Sequence, residues 1–240
     1  MHPNFRVSCG VRVPLLALLP AICALAQQTY VTRFDLFTGY TYLNSSNVSL
    51  AEHGFQTQFG VRPWTWMSLG FDYSVSQGDL TITPNLLLPA LQQSIGTELG
   101  YLASIGQVPP GYQLIVPAGS TTQTFAGGPQ LAFRHWRQFT LFVRPSCGVI
   151  KEKATPHPGD PIATGVVAQL APSGTKNDST EFYGVGGGID LLFSKHVALR
   201  VQGDFVRDHL FNDLLQNSRN TVRLSVGPCF NFGKNIAVER

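Results

Sequence analysis

Eight segments of this chain alternate apolar and polar residues with a period of two, and this pattern limits the folds that the chain can adopt. In the clearest segment, 67–76, Phe71 and Tyr73 fall on one side while Asp72 and Ser74 fall on the other. Such alternation is typical of a β-strand whose two faces meet different surroundings. Each segment has roughly 10 residues, which is the length of a tilted strand that crosses a bilayer. The segments are 33–43, 53–62, 67–76, 122–134, 139–149, 182–193, 197–206 and 221–232.

The links between these segments also follow a pattern. Links 63–66, 135–138 and 194–196 are short, and each of the other four links is longer. Outer-membrane barrels have tight turns on the periplasmic side and long loops outside. The sequence therefore predicts an all-β fold, an antiparallel up-and-down transmembrane β-barrel of eight strands with both termini on the periplasmic side. A further hairpin at 113–116 would give ten strands instead, and the pattern leaves that alternative open.

The composition agrees with a wall that has one apolar and one polar face. Charged residues make up 13% of the chain, about half the share of an ordinary soluble domain. The mean hydropathy is +0.05, far below that of a bundle of membrane helices. The net charge is +3, and two of the 17 basic residues lie in the first 26 residues, which leaves 15 basic against 14 acidic residues. No basic stripe remains for nucleic acid, so we exclude a nucleic-acid partner.

The first residues, 1–26, have the features of a signal peptide. Two arginines precede the apolar run 15–25, and Ala24 and Ala26 give the small-x-small pattern of a cleavage site. The apolar run is shorter than the ~20 residues that a membrane-spanning helix needs. We therefore expect a cleaved leader followed by one mature barrel domain, 27–240.

The alternation predicts that nine charged side chains of the mature domain face the barrel interior. Eight strands leave an interior just wide enough for packed side chains, and a buried charge without a partner is costly. We therefore expect ion pairs inside. The three-residue turn after Phe193 aligns Asp190 directly with Arg200, so these two should pair across the inner face. The nine residues are Asp35, Asp72, Asp190, Asp204, Arg62, Arg134, Arg144, Arg200 and Arg223.

Tryptophan and cysteine give two further expectations. All three tryptophans, Trp64, Trp66 and Trp136, lie in or beside the short turns. Indole side chains favour the membrane–water interface, so these residues should form part of a periplasmic girdle. Cys147 and Cys229 of the mature domain fall on separate strands and on opposite faces of the wall, which excludes a disulfide between them.

Taken together, the alternation, the leader and an aromatic last strand that ends in Phe230-Asn231-Phe232 resemble the small eight-stranded outer-membrane barrels. These include the transmembrane domain of OmpA and the OmpX and opacity-protein types, and the resemblance covers 30–232. It implies a Gram-negative outer-membrane protein, inserted by the barrel-assembly machinery and surrounded by outer-membrane lipid and lipopolysaccharide. It implies a structural, surface-interaction or minor-pore role without catalysis and does not choose among these roles. The family often ends on an aromatic residue, whereas here 233–240 follow.

Two long links are candidate sites for an extracellular partner. Within 77–121, apolar residues recur at spacings of three and four, which predicts a short amphipathic helix with Pro89 in its first turn. This helix would either cap the barrel mouth or rest on the outer leaflet. The link 150–180 has four prolines and several glycines and is expected to be exposed and irregular. The apolar residues of the helix pattern are Leu88, Leu91, Ile95, Leu99 and Leu102.

Two other functions remain as alternatives. An outer-membrane hydrolase or acyltransferase would need His, Ser and carboxylate groups near the outer rim, and a soluble periplasmic barrel would turn its apolar face inward to bind an apolar ligand. No histidine pair has metal-ligand spacing and no cofactor motif is present, so we assign no catalytic, metal or cofactor-binding residue. The rim residues of the hydrolase alternative are His53, His209, Ser45, Ser46, Asp208 and Asp213.

Overall fold

The computed structural model describes residues 28–45, 48–216 and 219–237, and these form a closed barrel of eight antiparallel strands. Each strand pairs with its neighbours in the chain, and the first strand pairs with the last. The strands are β1 (Thr32–Ser45), β2 (Leu50–Trp64), β3 (Met67–Ile82), β4 (Val116–Phe133), β5 (Phe139–Pro156), β6 (Lys176–Leu192), β7 (Val197–Asp208) and β8 (Arg219–Asn235). Two helices lie in the links, α1 (Pro89–Ser104) and α2 (Pro161–Leu170). The predicted leader, 1–26, lies outside the described residues and stays a prediction.

The predicted eight-stranded fold is confirmed, and the ten-stranded alternative is wrong because β4 continues directly from Val116. Most strands are longer at the outer end than the sequence indicated. Strand β5, for example, runs to Pro156 instead of ending at 149. The expectation that every outer link is longer than the turns is wrong for the first one, 46–49, because β1 and β2 stay paired up to Ser45 and Leu50.

The outer face of the barrel carries a belt of exposed apolar side chains, as the alternation predicted. The inward positions between them hold charged and amide side chains that are buried. Among the described residues, no helix is long and apolar enough to cross a membrane. Exposed members of the belt include Leu36, Phe59, Phe71, Phe125, Leu141, Val143, Val185, Val201, Leu224 and Phe230.

The short turns and both ends of the described chain lie at one end of the barrel. The backbone nitrogen of Ile236 bonds to the carbonyl of Val31 at 2.8 Å, which ties the two ends together. The tryptophans are exposed at this end: Trp64 and Trp66 stack with ring centroids 5.8 Å apart, and Trp136 stacks on a phenylalanine. This placement agrees with the expected girdle at a membrane interface.

The two described cysteines are free, as the sequence indicated. Cys147 is exposed on the outer face, whereas Cys229 is buried in the interior against Phe37 and Ala198. Their side chains therefore leave opposite faces of the wall, and a disulfide between them is excluded.

Two inward glycines make room for buried carboxylates. A Cβ at Gly60 would lie 1.8 Å from Oδ1 of Asp35, and a Cβ at Gly186 would lie 1.8 Å from Oδ1 of Asp204. Gly186 therefore leaves space for the carboxylate of Asp204, which pairs with Arg144 and Arg223.

We predict that Gly186→Ala lowers the free energy of unfolding by about 1–3 kcal/mol, the usual cost of overpacking a tight interior. The added methyl would displace Asp204 from its arginine partners. The matched control is Gly203→Ala on β7, where the new Cβ would meet only the flexible end of Leu224 at 3.3 Å. Urea titrations of both variants in lipid vesicles measure the difference, and equal stability of the two would contradict this account.

Candidate functional site: a closed lumen beneath a two-helix cap

A lower ion-pair group (Asp35, Arg62, Asp190 and Arg200) fills the lumen near the short turns. Nε and Nη2 of Arg200 donate to the two oxygens of Asp190 at 2.7 and 2.9 Å, and the two residues are paired in register as predicted. Asp35 accepts from Arg62 at 2.7 Å and from Arg200 at 3.1 Å. Arg134, also predicted to face inward, lies half-buried at the turn and donates to a turn carbonyl at 2.8 Å.

A middle ion-pair group (Asp72, Arg144, Asp204 and Arg223) lies directly above. Arg144 contacts Asp72 at 2.7 Å and Asp204 at 3.4 Å, while Arg223 contacts the same two carboxylates at 3.4 and 2.8 Å. Each charged group therefore has two partners of opposite sign. Such mutual pairing offsets the cost of removing four charges from water.

An upper ion-pair group (Glu152, Asp208 and Arg219), with the buried carboxyl group of Glu52 beside it, was not predicted from the sequence. Arg219 contacts Glu152 at 2.5 Å and Asp208 at 3.4 Å, and Glu52 accepts from the hydroxyl of Thr122 at 2.9 Å. These residues had been assigned to loops because the predicted strands ended too early. Burial alternates with a period of two through 150–154 in β5, but the sequence gives no such signal, because Lys151, Glu152 and Lys153 are all charged.

The side chains of the three groups and of Glu52 are at most 5% exposed, and buried glutamines fill the space between the lower and middle groups. One of them, Gln58, accepts from Arg200 at 3.3 Å and donates to Gln130 at 3.2 Å. A narrow eight-stranded lumen filled in this way has no room for a continuous column of water. The barrel interior is therefore closed in this conformation.

Above the middle ion-pair group the inner face of the wall also carries apolar side chains, which lie beside the upper ion-pair group: on β5, for example, Ile150 precedes Glu152 and Ala154 follows it. This upper apolar layer includes Leu43, Leu50, Ile150 and Phe182, and Phe211 from the link between β7 and β8 packs on it. Phe211 is buried with a φ of +55°, a backbone conformation that a bulky residue rarely adopts. Its carbonyl accepts two backbone hydrogen bonds, at 2.7 and 2.9 Å, which hold the link in this shape.

The two helices form a cap over the apolar layer. The expected helix in 77–121 is confirmed as α1, with Pro89 in its first turn, and it caps the mouth: its buried residue Ile95 packs with Ala163 and Val166 of α2. The expectation that 150–180 is exposed and irregular is wrong, because part of it forms α2. A visible signal was Asp-Pro at 160–161, a helix-capping residue followed by proline in the first turn.

One polar contact joins the two long links within the cap. The carboxylate of Asp160 accepts the backbone N–H of Ala163 at 2.8 Å and the hydroxyl of Tyr112 at 2.9 Å. Both hydrogen bonds lower the pKa of Asp160, and the one from Ala163 has the larger effect. Burial and the nearby carboxylate raise the pKa of Tyr112 to about 12. Asp160 therefore both begins α2 and ties it to the segment that precedes β4.

Between the cap and the upper apolar layer lies a cavity of about 60 Å³, which we call the cap cavity. Its wall is almost entirely apolar, and it is only partly enclosed. Residues from β3, β4, β5, α2 and the link between β7 and β8 all contribute to it. Six of its lining residues are Leu80, Leu87, Val116, Val166, Leu170 and Phe211.

The rim residues of the hydrolase alternative have other partners. His53 bonds to a tyrosine hydroxyl on the outward face of the wall, whereas Asp208 is buried in the upper ion-pair group. Asp213 pairs with a lysine, and Ser45 donates to a backbone carbonyl at 3.1 Å. The structure thus does not bring them together into the relay that nucleophilic catalysis needs. Of the remaining two, His209 is exposed and Ser46 lies outside the described residues.

Comparison with solved structures agrees with this architecture. Neisserial surface protein A has a TM-score of 0.51 and 10% identity, and the alignment covers 83% of this chain and 96% of that one. The chain has the fold of the small eight-stranded outer-membrane β-barrels. Ail of Yersinia pestis has a TM-score of 0.44 and 8% identity, and the alignment covers 84% of this chain and 99% of Ail. OprG of Pseudomonas aeruginosa has a TM-score of 0.45 and 8% identity, and the alignment covers 87% of this chain and 99% of OprG. No protein-family model matches the sequence, and no curated protein sequence matches it.

We predict that Ile95→Ser loosens the cap and leaves the barrel folded. Ile95 is the buried residue of α1 that packs on α2, and replacing it by a small polar residue costs roughly 2–4 kcal/mol. The control is Tyr101→Ser on the same helix, where the side chain is 65% exposed. Limited proteolysis of the protein in vesicles should cut α1 of the Ile95 variant much faster than α1 of the control. Equal cleavage rates would show that α1 is not docked.

Proposed function

We propose that this protein is an integral outer-membrane barrel with a closed lumen, and that its cap is a binding module on the cell surface. The observation that carries the proposal is the inversion of the wall: large apolar side chains are exposed outside, while charged groups pair inside. An exposed apolar belt of this size needs lipid around it. The proposal includes export with the leader 1–26 and assembly by the barrel-assembly machinery of a Gram-negative cell.

Orientation supports a surface role for the cap. In outer-membrane barrels the short turns and both termini lie in the periplasm, and in this chain they lie at the tryptophan end of the barrel. The cap, which α1 and α2 form within the long links 77–121 and 150–180, then lies outside the cell, where it can meet an extracellular partner.

Two outward lysines support lipopolysaccharide as a lipid partner. Lys151 and Lys153 are exposed on β5 just beyond Val149, the last apolar residue of its belt. At this height the outer leaflet presents phosphate groups, and an ammonium group is a suitable partner for them.

The arrangement favours binding over the other roles that the resemblance allows. The ion-paired lumen argues against a pore role, because ions would have to displace at least three groups of paired side chains. It also argues against the soluble periplasmic barrel, which would place charges outside and apolar groups inside along its whole length. The role that remains is binding by a folded cap, which the barrel wall anchors in the membrane.

The membrane part of the proposal predicts a large effect of a charge placed in the belt. Val143 is 43% exposed in the part of the apolar belt that β5 contributes, between Phe139 at the short turn and Val149. Val143→Arg should lower the free energy of unfolding in vesicles by about 2–4 kcal/mol, the cost of arginine at mid-bilayer depth. Asn177→Arg, on the exposed outer end of β6, is the control. If both variants fold equally well in buffer without detergent or lipid, the membrane assignment is wrong.

The closed lumen predicts a low conductance. Purified protein in planar bilayers should show no steady ion current, since each step through the lumen would separate buried ion pairs. Removing 84–112, which include α1, tests whether the cap or the lumen blocks the current. The current should stay absent, because paired side chains fill the lumen itself. A steady open current from the full mature chain would contradict the proposal and favour a pore.

A further inference from the structure

The cap cavity has the properties of a ligand site. It lies at the outer end of the barrel, where the strands, α2 and the link between β7 and β8 meet, and its wall is almost wholly apolar. Apolar cavities in proteins stay empty of water. The atoms that line one therefore lack the dispersion contacts that a bound apolar group would restore.

Lys176 gives the cavity its single charged feature. Among the described residues that line the cavity, it is the one with an ionisable side chain. Its ammonium group pairs with Asp213, and the two side chains are 29% and 53% exposed. An ion pair this exposed contributes little to stability, so a carboxylate supplied by a ligand could replace Asp213 at low cost.

The volume of the cavity limits the cross-section of the ligand that it can hold. An engineered cavity of ~150 Å³ takes up benzene, whereas the cap cavity has about 60 Å³. This volume suits the narrow cross-section of an alkyl chain better than an aromatic ring. The chain can extend out of the cavity, because the wall does not enclose it completely.

We propose that the cap cavity binds the alkyl chain of a small aliphatic carboxylate, whose carboxylate group pairs with Lys176 in place of Asp213. The inference rests on the proposed function of the cap as a binding module and names its ligand class. Both α2 and the link that carries Phe211 and Leu214 line the cavity at the outer end of the barrel.

The test uses the full mature chain in phospholipid nanodiscs, which avoids detergent tails as competitors, with octanoate and 1-octanol as probes. Methyl NMR signals of Leu87, Val166 and Leu170 report on the cavity. Leu36 and Val143 of the lipid-facing belt report on probe that merely dissolves in the bilayer. We expect octanoate to shift the cavity signals in a saturable way, while the belt signals change in proportion to the probe added.

Two variants separate the parts of the site. Val166→Phe fills the cavity and should abolish saturation with both probes. A rate of proteolytic cleavage in α1 equal to that of the natural sequence would show that the cap is still folded. Lys176→Met keeps the length of the side chain and removes its charge. It should weaken octanoate binding by up to about fivefold, as expected for the loss of one exposed ion pair, and leave 1-octanol binding unchanged.

The outcomes distinguish this inference from the function it rests on. A folded barrel in nanodiscs whose cavity signals do not saturate with octanoate would overturn the ligand site and leave the membrane barrel intact. Saturation with the same affinity in Lys176→Met as in the natural sequence would overturn the pairing of the carboxylate with Lys176. A chain that does not enter nanodiscs at all would overturn the proposed function itself.

Discussion

Pairing between buried guanidinium and carboxylate groups is the interaction on which this structure depends. An eight-stranded wall encloses so little space that every long inward side chain must contact others, and a charge left alone there would be costly. The pairs therefore fix the register: Asp190 meets Arg200 across the β6–β7 turn, and Asp204 holds both Arg144 and Arg223. Because the same pairs fill the lumen, any role of this molecule must lie at its ends or on its outer face.

The polarity of the side chains on the inner face changes along the barrel axis. The lower and middle parts of the barrel have apolar groups outside and charges inside, as expected for a wall in lipid. At the outer end the inner face combines the upper ion-pair group with apolar side chains, and Leu50, Ile150 and Phe182 pack there like the core of a soluble protein. The cap covers this upper apolar layer, in the same way that a soluble domain buries an apolar sheet face under helices. One chain thus combines a wall suited to lipid with an apolar core of the kind found in soluble proteins.

Much of the wall could be predicted from the sequence, because a period of two specifies both the strand and its inward face. The pair of Asp190 and Arg200 followed from the length of one turn. The outer end was less predictable: beyond the belt both faces of a strand meet protein or water, so the contrast that marks the strand fades, and the sequence analysis assigned Glu152 and Arg219 to loops. Helix α2 was missed because prolines dominate its surroundings, although Asp160 and Pro161 form a typical helix start.

The central claim, that buried ion pairs hold the wall together, is tested most directly by a double-mutant cycle on Asp190 and Arg200. The free energy of unfolding in lipid vesicles would be measured for Asp190→Leu, Arg200→Leu and the double variant. The account predicts that each single change costs about 3–5 kcal/mol, since it leaves a buried charge without its partner. It also predicts that the double variant loses much less than the sum of the two. Additive and small losses would contradict it, because they would show that the two groups neither pair nor lie buried.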